Sequence, residues 1–228
     1  MIFDYEHQMV ESAEKWLKSK RLATKREFVT PWGICDLVGC SLNKNKVRQR
    51  LTLGQTKPIG SQLRVLILSK IPDRTEGTSV SVETLKAKFA SFIGKDRITL
   101  EIDKLLRDGF VQEESRGRLQ KLNGWVPLHK KIIAVELKLA RINDVLNQAI
   151  AHLEFADESF AGLPIDTAKR LINSKKKTDF IKNGVGVLAV HPLGCRVLLK
   201  PNNSKSTPNT VIQMHFVERF WRTRAIGN

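Results

Sequence analysis

The segment Lys130–Ala149, KKIIAVELKLARINDVLNQA, is the part of the chain that most constrains its fold. Ile132–Val135 is apolar on both faces of a strand, which is typical of an α/β sheet that is covered on both sides. Glu136 and Lys138 follow two positions apart, so their side chains project to the same side of the strand. A buried strand does not ordinarily contain such a pair, and the pair is therefore a candidate for chemistry.

The next helix has an apolar stripe and a polar edge beside it. Helical spacing defines the stripe as Ile142, Val145, Leu146, Ala149, Ile150 and Leu153. Three polar residues are predicted to lie together along the edge: Arg141, Gln148 and His152. Gln148 would orient a site at the end of the strand or contact a nucleic-acid backbone.

Two further carboxylates fall among apolar residues of predicted elements. Asp36 shares a strand face with Ile34 and Val38, and Glu6 falls in the apolar stripe of a helix over residues 5–20. A carboxylate aimed at a core needs a partner or a cation. For Asp36, hydrogen-bonded structure and ligation remain equally open. For Glu6, the alternative is a first-turn acid that complements the helix dipole.

These residue types together suit phosphodiester hydrolysis, which needs a hard cation, an activated water and positive charge near the phosphate. Asp36 and Glu136, at the ends of adjacent strands, would hold Mg²⁺ with the main-chain carbonyl of Leu137 as a further oxygen ligand. Lys138 would position the water, lower its pKa or stabilise the developing charge. Glu6 would complete the metal shell or orient a water.

The order of these residues resembles the PD-(D/E)xK nuclease superfamily, which has the restriction-endonuclease-like fold. The pattern is a helix bearing Glu, an Asp at a strand end, an E-x-K strand and a helix with Gln. Here it falls on Glu6, Asp36, Glu136-Leu137-Lys138 and Gln148-Ala149. The resemblance implies an α/β fold with a mixed sheet flanked by helices, Mg²⁺ as cofactor with Mn²⁺ as substitute, and DNA as substrate.

The chain departs from the family pattern at three points. Cys35 rather than proline precedes Asp36, and His152 stands where some branches have tyrosine. The separation of Asp36 from Glu136 is also unusually long. An insertion between two neighbouring strands explains it, and the predicted nuclease-like core is then discontinuous, over residues 1–60 and 128–228.

The inserted segment, residues 61–127, resembles a winged helix-turn-helix domain, with three predicted helices and a hairpin that turns at Arg116-Gly117. Its third helix would enter the major groove of duplex DNA. Candidate contacts on that helix are Lys95, Arg97 and Thr99, and candidates on the hairpin are Arg116, Arg118 and Lys121. Many winged helices bind only proteins, and that reading stays open.

The net charge of +16, from 39 Lys and Arg against 23 Asp and Glu, favours a polyanionic partner, with nucleic acid foremost. Lys44, Lys46, Arg48 and Arg50 alternate, so on a strand they would line one face. That face would follow phosphates or would be a solvated edge. Arg141 is a further candidate for DNA contact.

The cysteines and the apolar segments give no indication of a zinc site or of a membrane span. Cys35, Cys40 and Cys195 form no C-x-x-C pair, and no zinc site can be read from the spacing of cysteines and histidines. We interpret them as reduced thiols in or near the core. The sequence has no apolar stretch long enough to span a bilayer, and we expect a soluble, cytoplasmic protein without membrane contact.

The leading hypothesis is a Mg²⁺-dependent DNA endonuclease whose winged helix binds duplex DNA. The alternative is a non-catalytic DNA-binding protein, a regulator or a repair or recombination accessory, on a nuclease-like scaffold. A nuclease directed at RNA or at branched substrates is a third hypothesis. Because one active site cuts one strand, cleavage of both strands implies a homodimer or two sequential events.

Overall fold

The computed structural model describes residues 3–31, 33–122, 127–202 and 208–221. Short 3-10 turns at Glu6–Met9 and Arg74–Glu76 accompany the regular elements. In chain order the helices and strands are α1 (Val10–Ser19), β1 (Ala23–Thr30), β2 (Gly33–Leu42), α2 (Lys44–Thr52), α3 (Gln62–Leu68), β3 (Val80–Ser81), α4 (Val82–Phe89), α5 (Lys95–Arg107), β4 (Val111–Ser115), β5 (Arg118–Lys121), β6 (His129–Leu137), α6 (Ile142–His152), β7 (Glu158–Pro164), α7 (Ile165–Ile172), α8 (Lys177–Lys182), β8 (Gly186–His191), β9 (Gly194–Leu199) and α9 (Thr210–Trp221).

The chain divides into two compact units. The sheet unit comprises Met1–Leu42 and His129–Gln213, and the helical unit comprises Asn43–Leu128 and Met214–Asn228. The sheet unit is thus discontinuous, with its first boundary at Leu42 rather than after residue 60. The residues of α2 and the part of α9 from Met214 to Trp221 fall in the helical unit, where Arg50 of α2 forms a buried ion pair with Glu218.

The sheet unit is built on a six-stranded mixed sheet in the order β1-β2-β6-β7-β8-β9. β6, β7 and β8 are parallel, and the other neighbours are antiparallel. Ile132–Leu137 of β6 is buried throughout, as expected of a strand covered on both faces. The predicted α/β class and the mixed sheet flanked by helices are confirmed.

Helices pack on both faces of this sheet. Met9, Ala13 and Leu17 recur at helical spacing and pack on one face with residues such as Leu37 and Val135. On the other face, buried residues of α6, α7 and α8 pack against β7 and β8. The helix predicted over residues 5–20 is confirmed, although its first turn is a 3-10 turn.

The helical unit contains α3, α4 and α5, followed by the β4–β5 hairpin, with strand order β3-β5-β4 in a small sheet. Ser61 and Ser81 cap α3 and α4 through their side chains. Gly109, with a φ of 71°, lies just beyond α5, and Gly117, with a φ of 72°, lies in the turn of the hairpin. Three helices followed by a hairpin is the predicted element order.

Residues 44–50 are helical, so the strand geometry that would place the four basic residues on one face is not present. The side chain of Asn43 accepts a hydrogen bond from the Lys46 N–H and caps α2. Lys, Arg and Gln are good helix formers, and a single β-branched residue, Val47, interrupts them. On a helix the four alternating basic residues do not share one face, and the side chain of Arg50 is buried.

Within the described residues, no helix combines the length and the apolar character needed to cross a bilayer.

Candidate active site

Asp36 and the E-x-K segment meet where β2 and β6 part. Regular pairing of these antiparallel strands extends to Leu37 opposite Val135. Beyond this pair the Leu137 N–H donates to Asp36 Oδ2 at 2.7 Å. The Asp36 side chain thus replaces the next bond of the ladder, and it stands beside the E-x-K segment despite the long separation in sequence.

Lys138 forms ion pairs with two carboxylates, Glu136 of β6 and Glu6 of the first 3-10 turn. Its Nζ lies 3.1 Å from Glu136 Oε1 and 3.3 Å from Glu6 Oε2. Glu136 is 1% exposed and Lys138 is 8% exposed. Glu6 lies in the turn before α1 and is half-buried. Asp36, Glu136, Lys138 and Glu6, which the sequence predicted as one site, are therefore assembled in one place.

A cavity of about 420 Å³ opens on this cluster. Asp36, Glu6 and Leu137 line it, so three of the four predicted metal ligands face a shared space. Its other lining residues are His7, Val10, Arg26 and Glu27. A space of this size accommodates a hydrated cation and part of a phosphodiester.

Burial perturbs the protonation of the cluster. Burial raises the pKa of Asp36, against the hydrogen bond from Leu137 and the charge of Lys138. Burial and the charge of Asp36 raise the pKa of Glu136 to about 7. Burial alone would lower the pKa of Lys138, but the neighbouring charges of Glu136 and Asp36 raise it. Carboxyl groups whose pKa values are raised by burial and by a neighbouring charge are typical of functional sites.

His152 is buried, so the polar edge expected on α6 was wrong in this respect. Val145, Ala149 and His152 are the buried residues of α6, and their spacing places His152 in the same stripe as the other two. Its Nε2 lies 3.9 Å from Glu136 Oε2, and its Nδ1 lies 3.7 Å from Cys35 Sγ. His152 is therefore a neighbour of Glu136 that the sequence pattern did not identify.

Arg141 and Gln148 are exposed on and next to α6. Arg141 forms an ion pair with Asp144 at 3.3 Å. Neither residue is among the described residues that line the cavity. The contact of Gln148 with the site, or with a nucleic acid, stays a prediction.

The cavity includes one residue with an unusual backbone. Glu27 has a φ of 49°, which residues other than glycine rarely adopt. It lies between the register pairs Arg26–Leu37 and Phe28–Cys35, and hence opposite Asp36. The neighbouring Arg26 donates from Nε to Glu14 at 2.9 Å. The sequence pattern contains no signal for this local conformation, and neither residue was predicted for the site.

The candidate DNA contacts of the helical unit are mostly at its surface. Lys95 and Arg97 are exposed in the first turn of α5, and Lys44 and Arg48 are exposed on α2. Thr99 is half-buried, and its hydroxyl donates to the carbonyl of Lys95 at 3.1 Å, while Lys46 is half-buried on α2.

The basic residues of the hairpin differ in their exposure and in their hydrogen bonds. Arg116 is exposed in the turn. Arg118 is held by Ser79, since its Nε lies 2.8 Å from the Ser79 hydroxyl and a terminal nitrogen lies 2.7 Å from the Ser79 carbonyl. Lys121 is half-buried at the end of β5.

Comparison of the chain with protein-family models, with curated proteins and with solved structures gives no match.

Proposed function

We propose that this chain is a metal-dependent DNA endonuclease of the PD-(D/E)xK type. The observation that carries the proposal is the convergence of Asp36, the Glu136–Lys138 segment and Glu6 from three parts of the chain, with Asp36, Glu6 and Leu137 lining a cavity and Glu136 and Lys138 buried beside them. The mixed sheet, with the E-x-K segment at the end of a central parallel strand, supports a restriction-endonuclease-like core in the sheet unit. A structural ion pair alone would not require Asp36 and a lined cavity beside it.

The donor set fits a hard divalent cation. Asp36 and Glu6 at the cavity and Glu136 beside it would supply carboxylate oxygens, and the carbonyl of Leu137 is a further candidate. Oxygen is the ligand type that Mg²⁺ and Mn²⁺ prefer. Among the described residues, Glu136 Oε2 is buried without a hydrogen-bond partner. A bound cation would polarise the scissile phosphate and lower the pKa of an attacking water.

The protein residues have separate roles in this proposal. Asp36 Oδ2 is held by the Leu137 N–H, which orients the other carboxylate oxygen. The raised pKa of Lys138 keeps it protonated at neutral pH, so Lys138 stabilises the charge that develops on the phosphate and does not act as a base. Glu6 and Glu136 position the ammonium of Lys138.

We further propose that the helical unit is a winged helix domain that binds duplex or branched DNA. Helix α5 would be the recognition helix, since Lys95 and Arg97 are exposed in its first turn. The net charge of +16 favours contact with phosphates. One site per chain would cut one strand, so cleavage of both strands would require a homodimer or two events.

The test is cleavage of supercoiled plasmid and of branched DNA, with Mg²⁺ or Mn²⁺ and with EDTA. Asp36→Asn and Lys138→Met should lower the rate by about 10²-fold or more, because the first removes a charge that would hold the metal and the second removes the charge that would stabilise the phosphate. Lys131→Met is the matched control, since Lys131 lies on the same strand but pairs with Glu158 at 2.7 Å. It should cleave like the wild type.

Three outcomes separate the hypotheses. Metal-dependent nicking that both site variants lose supports the nuclease. Cleavage that Asp36→Asn and Lys138→Met retain would reject this site. Salt-sensitive DNA binding without cleavage, unchanged in both variants, would favour the non-catalytic binding protein and would assign its function to the helical unit.

A further inference from the structure

Behind the carboxylate cluster lies a second group of ligating side chains. Cys35 of β2, Glu136 of β6 and His152 of α6 are all buried, and one ligand atom from each lies within 4.8 Å of the others. The group shares only Glu136 with the predicted magnesium site. Its members come from three different elements, so only the folded chain brings them together.

The three ligand atoms are close enough to meet at one zinc ion after small side-chain movements. Zinc–ligand bonds to sulfur, nitrogen and oxygen place neighbouring ligand atoms about 3.4–3.6 Å apart. One ion binds only one ring nitrogen of His152, and one ligand atom from each of the three residues lies within 4.8 Å of the others. Side-chain movements of about 1 Å would bring the three donors to the spacing of a zinc centre.

Hydrogen bonds account for Cys35, which contacts His152 Nδ1 at 3.7 Å and the Leu37 carbonyl at 3.5 Å, but among the described residues they leave one oxygen of Glu136 unsatisfied. The separation of 3.9 Å between His152 and Glu136 is too long for a hydrogen bond. Within the described part of the chain, Glu136 Oε2 is left buried without a hydrogen-bond partner. A buried oxygen in that state is destabilising unless a cation or another donor satisfies it.

We propose that Cys35 Sγ, one ring nitrogen of His152 and Glu136 Oε2 form a binding site for a thiophilic divalent cation such as Zn²⁺. Thiolate and imidazole select such ions over Mg²⁺. Coordination releases the proton of the Cys35 thiol to the solvent. The ion would enter by local opening, because all three ligands are buried.

Zinc at this site would inhibit cleavage, a consequence that rests on the proposed function. Glu136 is the one residue common to both sites, so an ion bound by Cys35 and His152 withdraws it from the Mg²⁺ ligands. Zn²⁺ and Mg²⁺ would then compete for one carboxylate. The binding itself does not depend on whether the chain cleaves DNA.

The test measures metal binding to the full chain without DNA. The protein is incubated overnight with Co²⁺ or Zn²⁺ and is freed of loose metal by gel filtration before its metal content is measured. One equivalent should be retained, and Co²⁺ should give a thiolate charge-transfer absorption. Cys35→Ser and His152→Gln should weaken binding at least tenfold and should remove or shift this absorption.

Cys40→Ser is the matched control, because Cys40 is also a buried thiol of β2 but lies outside the cluster. It should bind like the wild type, and circular dichroism should show that each variant is folded. If Cys35→Ser does not fold, the double variant Cys40→Ser/Cys195→Ser, in which Cys35 is the remaining thiol, should still give the absorption. Absence of the cobalt–thiolate absorption in the wild type or in the folded double variant, or binding that Cys35→Ser retains in full, would overturn the proposal.

A cleavage assay at fixed Mg²⁺ then tests the inhibitory consequence separately. Zn²⁺ should inhibit the wild type and Cys40→Ser at lower concentrations than Cys35→Ser. Equal inhibition of all three would reject competition for Glu136 through this site. If the chain does not cleave DNA at all, the proposed function fails, while the direct binding result stands.

Discussion

Replacing Glu136 with glutamine should make the metal-free protein more stable at pH 8, although the change removes half of an ion pair with Lys138. Burial and the charge of Asp36 raise the pKa of Glu136 from 4.5 to about 7. The folded state therefore holds the proton more tightly than the unfolded state. The stability that this provides is complete below pH 4.5 and is lost as the pH rises through about 7.

The magnitude follows from the same pKa difference. A rise from 4.5 to about 7 corresponds to about 3 kcal/mol of unfolding free energy at pH 8. Glutamine resembles the protonated acid, so Glu136→Gln should regain up to about 3 kcal/mol at pH 8 and little at pH 5. Lys138 keeps a carboxylate partner in Glu6 at 3.3 Å.

Urea unfolding in EDTA at pH 5 and pH 8 measures this difference. Glu158→Gln is the control, because Glu158 belongs to a partly exposed pair with Lys131 and should change stability by less than about 1 kcal/mol. A loss of about 3–5 kcal/mol in Glu136→Gln at both pH values would refute the reasoning, since it is the result expected when a structural buried pair is broken.

Two other substitutions test the interior of the sheet unit and a buried ion pair of the helical unit. Gly162→Ala would place a Cβ 2.5 Å from Leu137 Cδ2, so it should lower the unfolding free energy by about 1–3 kcal/mol and slow cleavage, and urea unfolding with wild-type stability would contradict this. Glu218→Gln would leave the Arg50 guanidinium buried without its carboxylate, and thermal unfolding should reveal a loss of about 3–5 kcal/mol. A loss below about 1 kcal/mol would mean that solvent reaches Arg50.

Much of the sheet unit could be predicted, because its local patterns agree with its tertiary structure. A strand buried on both faces requires an apolar run, and β6 has one in Ile132–Val135. The spacing of Glu136 and Lys138 placed both side chains on one side without reference to any other strand, and their distance of 3.1 Å agrees with this. In the hairpin, Gly117 predicted the turn because glycine readily adopts the positive φ that the turn requires.

The features that could not be predicted depend on distant partners. The alternating basic residues of α2 suit either a strand face or a helix, and the Asn43 cap and the Glu218 carboxylate decide between them. Helical position alone groups His152 with Arg141 and Gln148 beside the apolar stripe, whereas packing buries it beside Cys35. The positive φ of Glu27 arises from the surrounding backbone, and residue type gives no indication of it.

The pairing of Leu42 with His129 makes β2 and β6 a hairpin whose loop is the whole of residues 43–128. In an unfolded chain, the length-dependent part of closing such a loop costs about 4 kcal/mol. Within the helical unit the Asn43 N–H donates to the Leu128 carbonyl at 2.6 Å. Folding of that unit therefore brings the two ends of the inserted segment together. We therefore expect the helical unit, including Glu218 as the partner of Arg50, to fold before β2 and β6 pair, and Asp36 to reach the E-x-K segment last.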